Sequence, residues 1–318
     1  MKRLMIVVPC YNEQEVFEST LNELSNLIFD LIKKEKIAKN SGIMFVDDGS
    51  KDGTRRLICD AYKKYSHVYA VNLAGNVGHQ NALMAGLEAA ADLCDVTVTI
   101  DADLQDDTSV IEQMIDKYNG GCDIVYGVRN NRKTDGFFKR TTANAFYKLM
   151  KWLGAKTVDN HADFRLLSTR AVRELLRYEE RNLFLRGVVT RLGYKTDCVY
   201  YARKKRMAGI TKYPFRKMLS FAVEGITSFS VKPLKMIMAL GLFIIFCSLL
   251  AIVYVLVSFF VGHANAGWPS LMISIWFLGG VQLFSIGLVG EYIGKIYLET
   301  KKRPRYNVEE LLIHNEDE

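Results

Sequence analysis

The stretch Asp95-Val96-Thr97-Val98-Thr99-Ile100-Asp101-Ala102-Asp103-Leu104-Gln105-Asp106 decides the fold. Its first half is dense in β-branched residues and reads as a buried strand. Its second half places two carboxylates one residue apart just past the strand end, with Gln105 adding an oxygen. Mg²⁺ or Mn²⁺ takes one or two protein carboxylates and leaves other positions to substrate phosphates. Asp101, Asp103 and Gln105 are therefore the expected metal ligands. The alternative is a plain acidic turn.

Working outward, Leu4–Val8 reads as a strand ending at Pro9, and Asn12 as the N-cap of a helix from Glu13 to about Lys34. Ile43–Val46 is a second strand running into Asp47-Asp48-Gly49-Ser50, with a helix after Asp52-Gly53-Thr54. Val68–Leu73 is a third, and Gly75-Asn76-Val77-Gly78 leads from it into a helix through Ala91. Beyond the Asp-x-Asp strand come a helix around Thr108–Tyr118 and a fifth strand at Asp123–Tyr126. Strands alternating with helices predict a parallel α/β sheet, whose ligand sits at the carboxyl ends of the strands. Tyr11-Asn12-Glu13, Asp47-Asp48 and Asp101–Gln105 all fall at such ends, which predicts a site on that rim. No Gly-x-Gly-x-x-Gly follows the first strand and no Gly-x-x-x-x-Gly-Lys-Ser/Thr occurs, so a diphosphate must be held differently. A metal on Asp101 and Asp103 supplies the means. Asp47 or Asp48 suits hydrogen bonds from a ribose or base. Arg129 and the run Arg203-Lys204-Lys205-Arg206 suit phosphates, the run reading equally as a solvated or lipid-facing face.

The 318 residues carry a net charge of +7 and 49% hydrophobic side chains, and the apolar excess lies beyond about Ser230. The six cysteines are scattered without zinc spacing, which fits a reducing compartment. The apolar run near Met1 is too short for a signal peptide. Met236–Gly262 and Trp268–Gly290 are free of charge, roughly 27 and 23 residues against the ~20 that span a bilayer. A short polar turn joins them into a hairpin. Lys232 and Lys235 precede it, and Lys295, Lys301, Lys302, Arg303 and Arg305 follow it, so the positive-inside rule places both termini in the cytoplasm. Two basic segments, Phe137–Leu153 and the one from Pro214 to Ile226, read as interfacial helices or as ordinary amphipathic helices on the core. The organisation expected is a catalytic domain over 1–210, a juxtamembrane helix over 211–231, membrane helices within 232–298 and a cytoplasmic tail over 299–318.

Val8-Pro9-Cys10-Tyr11-Asn12-Glu13, Val46-Asp47-Asp48-Gly49-Ser50-x-Asp52-Gly53-Thr54, Asn76-x-Gly78-His79-Gln80 and Asp101–Asp106 together resemble glycosyltransferase family 2. Asp163-Phe164-Arg165, Arg186-Gly187, Ala208–Pro214 and the hairpin resemble its polyprenyl-phosphate branch, which includes dolichyl-phosphate mannose synthases and bactoprenol glucosyltransferases. The resemblance implies a Rossmann-like nucleotide-sugar domain of GT-A type and an inverting transfer onto a lipid phosphate at the cell membrane. It implies a nucleotide-sugar pocket of Pro9, Tyr11, Asn12, Glu13, Asp48, Gly78, Gln80, Ala102 and Arg129. It implies catalytic roles for Asp103, Asp163 and Arg165, with Asp163 the family's candidate base, and lipid-phosphate contacts at Arg140, Arg203, Lys205 and Lys212. Glucose from UDP-glucose is the sugar suggested by the bactoprenol branch. N-acetylglucosamine, mannose or a modified pentose stay open, as does a homo-oligomer. The family often has Gly before Asp-Phe-Arg, where this chain has Ala162, so a loop of different shape is expected there. His161 is either a sugar contact or an incidental loop residue. A processive polysaccharide synthase would carry Gln-x-x-Arg-Trp and more membrane helices. Nothing in the sequence marks a nucleic-acid partner.

Overall fold

A computed structural model describes residues 1–130, 161–180, 185–202, 232–261 and 267–314. Arg140, Arg203, Lys205, Lys212 and the two basic amphipathic segments lie outside these residues. The described residues form two compact units, one of residues up to 202 together with 303–314, the other within 232–302.

The first unit runs β1 (Leu4–Cys10), α1 (Phe17–Lys33), β2 (Gly42–Asp47), α2 (Thr54–Lys64), β3 (Val68–Leu73), α3 (His79–Ala90), β4 (Val96–Thr99), α4 (Ile111–Asn119) and β5 (Ile124–Arg129). Then come β6 (His161–Ser168), α5 (Thr169–Leu176), α6 (Leu185–Val188) and β7 (Thr196–Tyr201). The second unit is α7 (Lys232–Val261) and α8 (Trp268–Thr300), after which β8 (Val308–Leu312) returns to the first. The eight strands form one sheet in the order β7-β5-β6-β4-β1-β2-β3-β8.

β1, β2 and β3 are buried at every position because helices cover both faces of the sheet. Leu4, Ile6 and Val8 share one core with Leu24, Ile28 and Leu31 of α1. Met5 and Val7 point to the other face and pack with α3. Gly86 lets α3 lie directly on the sheet, since a Cβ there would come within 2.5 Å of Val7 and 2.6 Å of Val46. β1 runs parallel to β2 and β4, and β2 to β3, so the carboxyl ends of the central strands share one rim.

Four expectations need correction. Asn12 does not cap α1, which begins at Phe17 after the Glu13 carbonyl accepts the Val16 and Phe17 N–H groups at 3.1 and 3.0 Å. Asn12 instead takes a left-handed φ of 55°, which Asn tolerates, and its side-chain oxygen accepts the Lys51 N–H at 2.8 Å. The sheet is mixed rather than parallel, because β6 runs antiparallel between β4 and β5 and β8 antiparallel to β3. Asp163-Phe164-Arg165 is strand, not loop, and ladder backbone accommodates Ala162 without glycine. The last segment is no free tail, since β8 closes the β3 edge.

Within the second unit, Met238, Phe243 and Tyr254 of α7 and Leu283, Phe284 and Ile296 of α8 point outward. Apolar side chains exposed around a helix suit lipid rather than water. Phe277–Thr300 is long and apolar enough to cross a membrane. α8 does not stop at Gly290 but continues through Glu291 and Lys295 to Thr300.

Candidate active site

The rim is built by loops that hold one another. Gly49, at φ 65°, brings the loop after β2 against the loop after β3, where a Cβ would meet Asn76 N at 2.6 Å. Asp48 fastens them, accepting the Val77 N–H at 2.7 Å, the Gly78 N–H at 3.0 Å and the Asn76 amide at 3.0 Å. Burial pushes the Asp48 carboxyl up, and the two backbone N–H bonds oppose that rise. The Asp48 oxygens, expected at the nucleoside, are engaged by the protein's own loop. Asp47 accepts the Ser50 N–H at 3.2 Å. Pro9 is buried in β1 beside Val46, while Tyr11 is exposed at the rim. Thr54 Oγ1 accepts the Glu13 N–H at 2.9 Å. The Gln80 side-chain oxygen accepts the Leu185 N–H at 3.0 Å, which ties α3 to α6.

The acidic turn follows β4. Leu104 takes a φ of 47°, and Asp103 Oδ1 accepts the Gln105 N–H at 3.2 Å, which fixes the Asp103 carboxylate. Ala102 is buried, its carbonyl accepting from Thr20 Oγ1 at 2.6 Å. Gln105 is buried too, and its observed contact with Asp103 is through backbone. Asp101 keeps 41% of its side chain exposed. Burial raises its carboxyl; His79 opposes the rise, and Asp163, Asp106 and Asp103 add to it. Among the described residues, no three His, Cys, Asp or Glu side chains gather as a closed metal site. Crowded carboxylates on an open turn fit a hard divalent cation whose remaining positions go to substrate oxygens.

Because β6 is antiparallel to β4, its beginning reaches the same rim, and Arg165 lies opposite Thr99. There Asp163 Oδ1 is hydrogen-bonded to Arg165 Nη2. Arg186 of α6 approaches the same carboxylate, Nη2 at 3.1 Å from Oδ2 and Nε at 3.4 Å from Oδ1. His79 Nε2 stands 3.8 Å from Asp163 and 3.5 Å from Asp101, bridging the two acidic groups. Burial alone would raise the Asp163 carboxyl, but the Arg165 and Arg186 charges hold it far below the usual carboxylate range. A carboxylate held so strongly ionised is a weak proton acceptor. Arg165 is fully buried, and its Nε has no hydrogen-bond partner among the described residues.

Arg129 ends β5 near this rim, but its guanidinium pairs with buried Asp106 at 2.8 Å, and Tyr201 Oη donates to Asp106 at 2.7 Å. Arg129 therefore braces the strand ends. His79, Arg186 and Asp106 have no role that the sequence alone assigns. Their signal was only their place inside motifs, and the contacts that define them cross from 22 to 95 residues of chain.

The family model "Glycosyl transferase family 2" matches residues 5–176, and that of the "GtrB C-terminal hairpin" matches 232–296. The "Uncharacterized glycosyltransferase YkoT" of Bacillus subtilis is 55% identical over 96% of this chain and 91% of its own length. A "Bactoprenol glucosyl transferase" of Shigella phage SfX is 41% identical over 96% of this chain and 98% of its own. A crystal structure of mannosyl-3-phosphoglycerate synthase from Rubrobacter xylanophilus overlaps at a TM-score of 0.47 and 14% identity, covering 70% of this chain and 71% of that one. The Rossmann-like GT-A sheet, the acidic rim and the membrane-associated hairpin agree with the two family models and the two relatives: the chain is a glycosyltransferase and belongs to glycosyltransferase family 2.

Proposed function

We propose that this glycosyltransferase moves a sugar, glucose from UDP-glucose as the leading candidate, onto polyprenyl phosphate at the cytoplasmic face of the cell membrane. The observation that carries this reading is the likeness to bactoprenol glucosyl transferases along the whole chain, hairpin included. Asp101 and Asp103, with Gln105 beside them, would hold Mg²⁺ or Mn²⁺, which as a Lewis acid stabilises charge on a leaving diphosphate. An oxygen of the acceptor phosphate attacks the anomeric carbon, the bond from that carbon to the donor diphosphate breaks, and the configuration inverts. A phosphate monoester, with a second pKa near ~6, is already largely a dianion at neutral pH. No general base is then required. Asp163, ionised and paired, serves instead to orient Arg165 and Arg186.

The topology has support from the sheet. β7 precedes the hairpin, β8 follows it, and both belong to one sheet, so an even number of crossings separates them. Two spanning helices with both termini cytoplasmic meet that condition and the placement of lysines and arginines. Membranes containing the protein should be given polyprenyl phosphate and a panel of radiolabelled nucleotide sugars, with label counted in the organic phase. Labelled lipid from one sugar identifies the donor; no lipid-soluble label from any donor refutes the reading.

A further inference from the structure

Of the clusters on the rim, the one at the start of β6 goes furthest beyond the roles described so far. Asp163 is one carboxylate shared by two guanidiniums, and these three side chains sum to one positive charge. The two arginines are not equivalent. Arg165 is 1% exposed and meets Asp163 from inside the fold. Arg186 meets it from the rim, with 41% of its side chain exposed. His79 continues the chain of contacts from Asp163 to Asp101, so the Asp163 carboxylate and the His79 imidazole link the Arg186 guanidinium to the acidic turn after β4. We propose that Arg186 is a phosphate-binding residue of the reacting centre, with Asp163 and Arg165 as the positioning residues that hold it.

The chemistry follows from the two ends of that line. A sugar passing between two phosphates needs positive charge on both sides, and acidic groups alone would repel the anions. A divalent cation held by Asp101 and Asp103 would serve one side. Arg186 supplies the other from the protein itself. A guanidinium can grip two oxygens in parallel, which a lysine ammonium cannot. Docking Nε and Nη2 on Asp163 fixes the plane of the guanidinium, so less freedom is lost when an anion arrives. Buried Arg165 holds Asp163 ionised for this task.

Two phosphates meet the chemistry, that of the donor diphosphate and that of the acceptor monoester, and the assignment to the acceptor rests on the function proposed above. The test measures binding of UDP with Mg²⁺ and, separately, of a short water-soluble prenyl phosphate to the full-length protein in detergent. The variants are Arg186→Gln and Arg186→Lys, with thermal unfolding followed in parallel. Losing a charge-assisted contact should weaken the responsible arm about 10- to 100-fold in Arg186→Gln. Arg186→Lys should fall between, because it keeps charge but not the fork. Weakening confined to the prenyl phosphate assigns Arg186 to the acceptor; weakening confined to UDP assigns it to the donor. Unchanged binding in both arms overturns the proposal, as does an equal loss in both that tracks a collapse in unfolding temperature. If the unmodified protein binds no prenyl phosphate, the lipid-acceptor reading fails, and the UDP arm alone decides the role of Arg186.

Discussion

Replacing Asp48 with alanine should release the loop after β3. The carboxylate accepts two backbone N–H groups and one side-chain amide, at 2.7, 3.0 and 3.0 Å. A buried donor left without its acceptor costs about 1–3 kcal/mol, and these donors are only partly buried, so about 1 kcal/mol each is the fitting value. The three together come to about 3 kcal/mol, which raises local opening of the loop by roughly 150-fold at about 1.36 kcal/mol per tenfold. Hydrogen exchange read by mass spectrometry on a peptide covering residues 74–78 should show that gain. Exchange in β1 should stay unchanged, because Leu4–Val8 are sealed on both faces and do not depend on Asp48. UDP affinity should drop with the loop. Normal protection at Val77 and Gly78 would refute the view of Asp48 as the fastening between the two loops.

Two further outcomes are expected. Asp103→Asn should abolish glycolipid formation while hydrogen exchange of β1–β4 stays at the level of the unmodified protein, and excess chelator should act likewise; full turnover in chelator would exclude the cation. His67 has its pKa depressed by burial and then by nearby His314, so its stabilising contribution is complete above about pH 6.5 and is lost as pH falls through the lower folded value. Thermal unfolding between pH 7.5 and 5 should show that loss, and His67→Gln, which keeps a partner for Ser25, should flatten it.

The sequence made the first half of the sheet legible because each element there has a local cause. Val68–Leu73 is a short apolar run with a turn after it, and Gly49 and Gly78 mark where backbone must take positive φ. The Asp101–Asp103 turn was legible for the same reason. β6 was not, since nothing in His161-Ala-Asp-Phe-Arg reports that its partners are β4, some 60 residues earlier, and β5. The same long-range pairing makes Asp163 a rim residue, which strand direction alone decides. β8 escaped notice because Val308-Glu-Glu-Leu-Leu carries two acids in a five-residue strand. On an edge, those acids find partners, Glu309 with Arg55 at 2.9 Å and Glu310 with Asn72 at 2.9 Å. Arg129 has the residue type and the place at a strand end that suit a phosphate ligand. Its occupation by Asp106 is visible only in three dimensions.

The order in which the chain is synthesised gives β8 a further meaning. β3 has an open edge until residues 308–312 leave the ribosome, and by then both hydrophobic helices have already been made. An unpaired edge is a template for wrong pairing with other chains. The enzyme's sheet is thus finished only after its hairpin exists, and a copy whose translation stops inside the hairpin lacks the closing strand. Ala74 N–H, which donates to the Asn307 carbonyl at 3.0 Å, and Glu88, which accepts the Tyr306 hydroxyl at 2.6 Å, would lack these contacts in such a copy. Completion of the catalytic sheet and production of the membrane helices are thereby bound into a single sequence of events during biosynthesis.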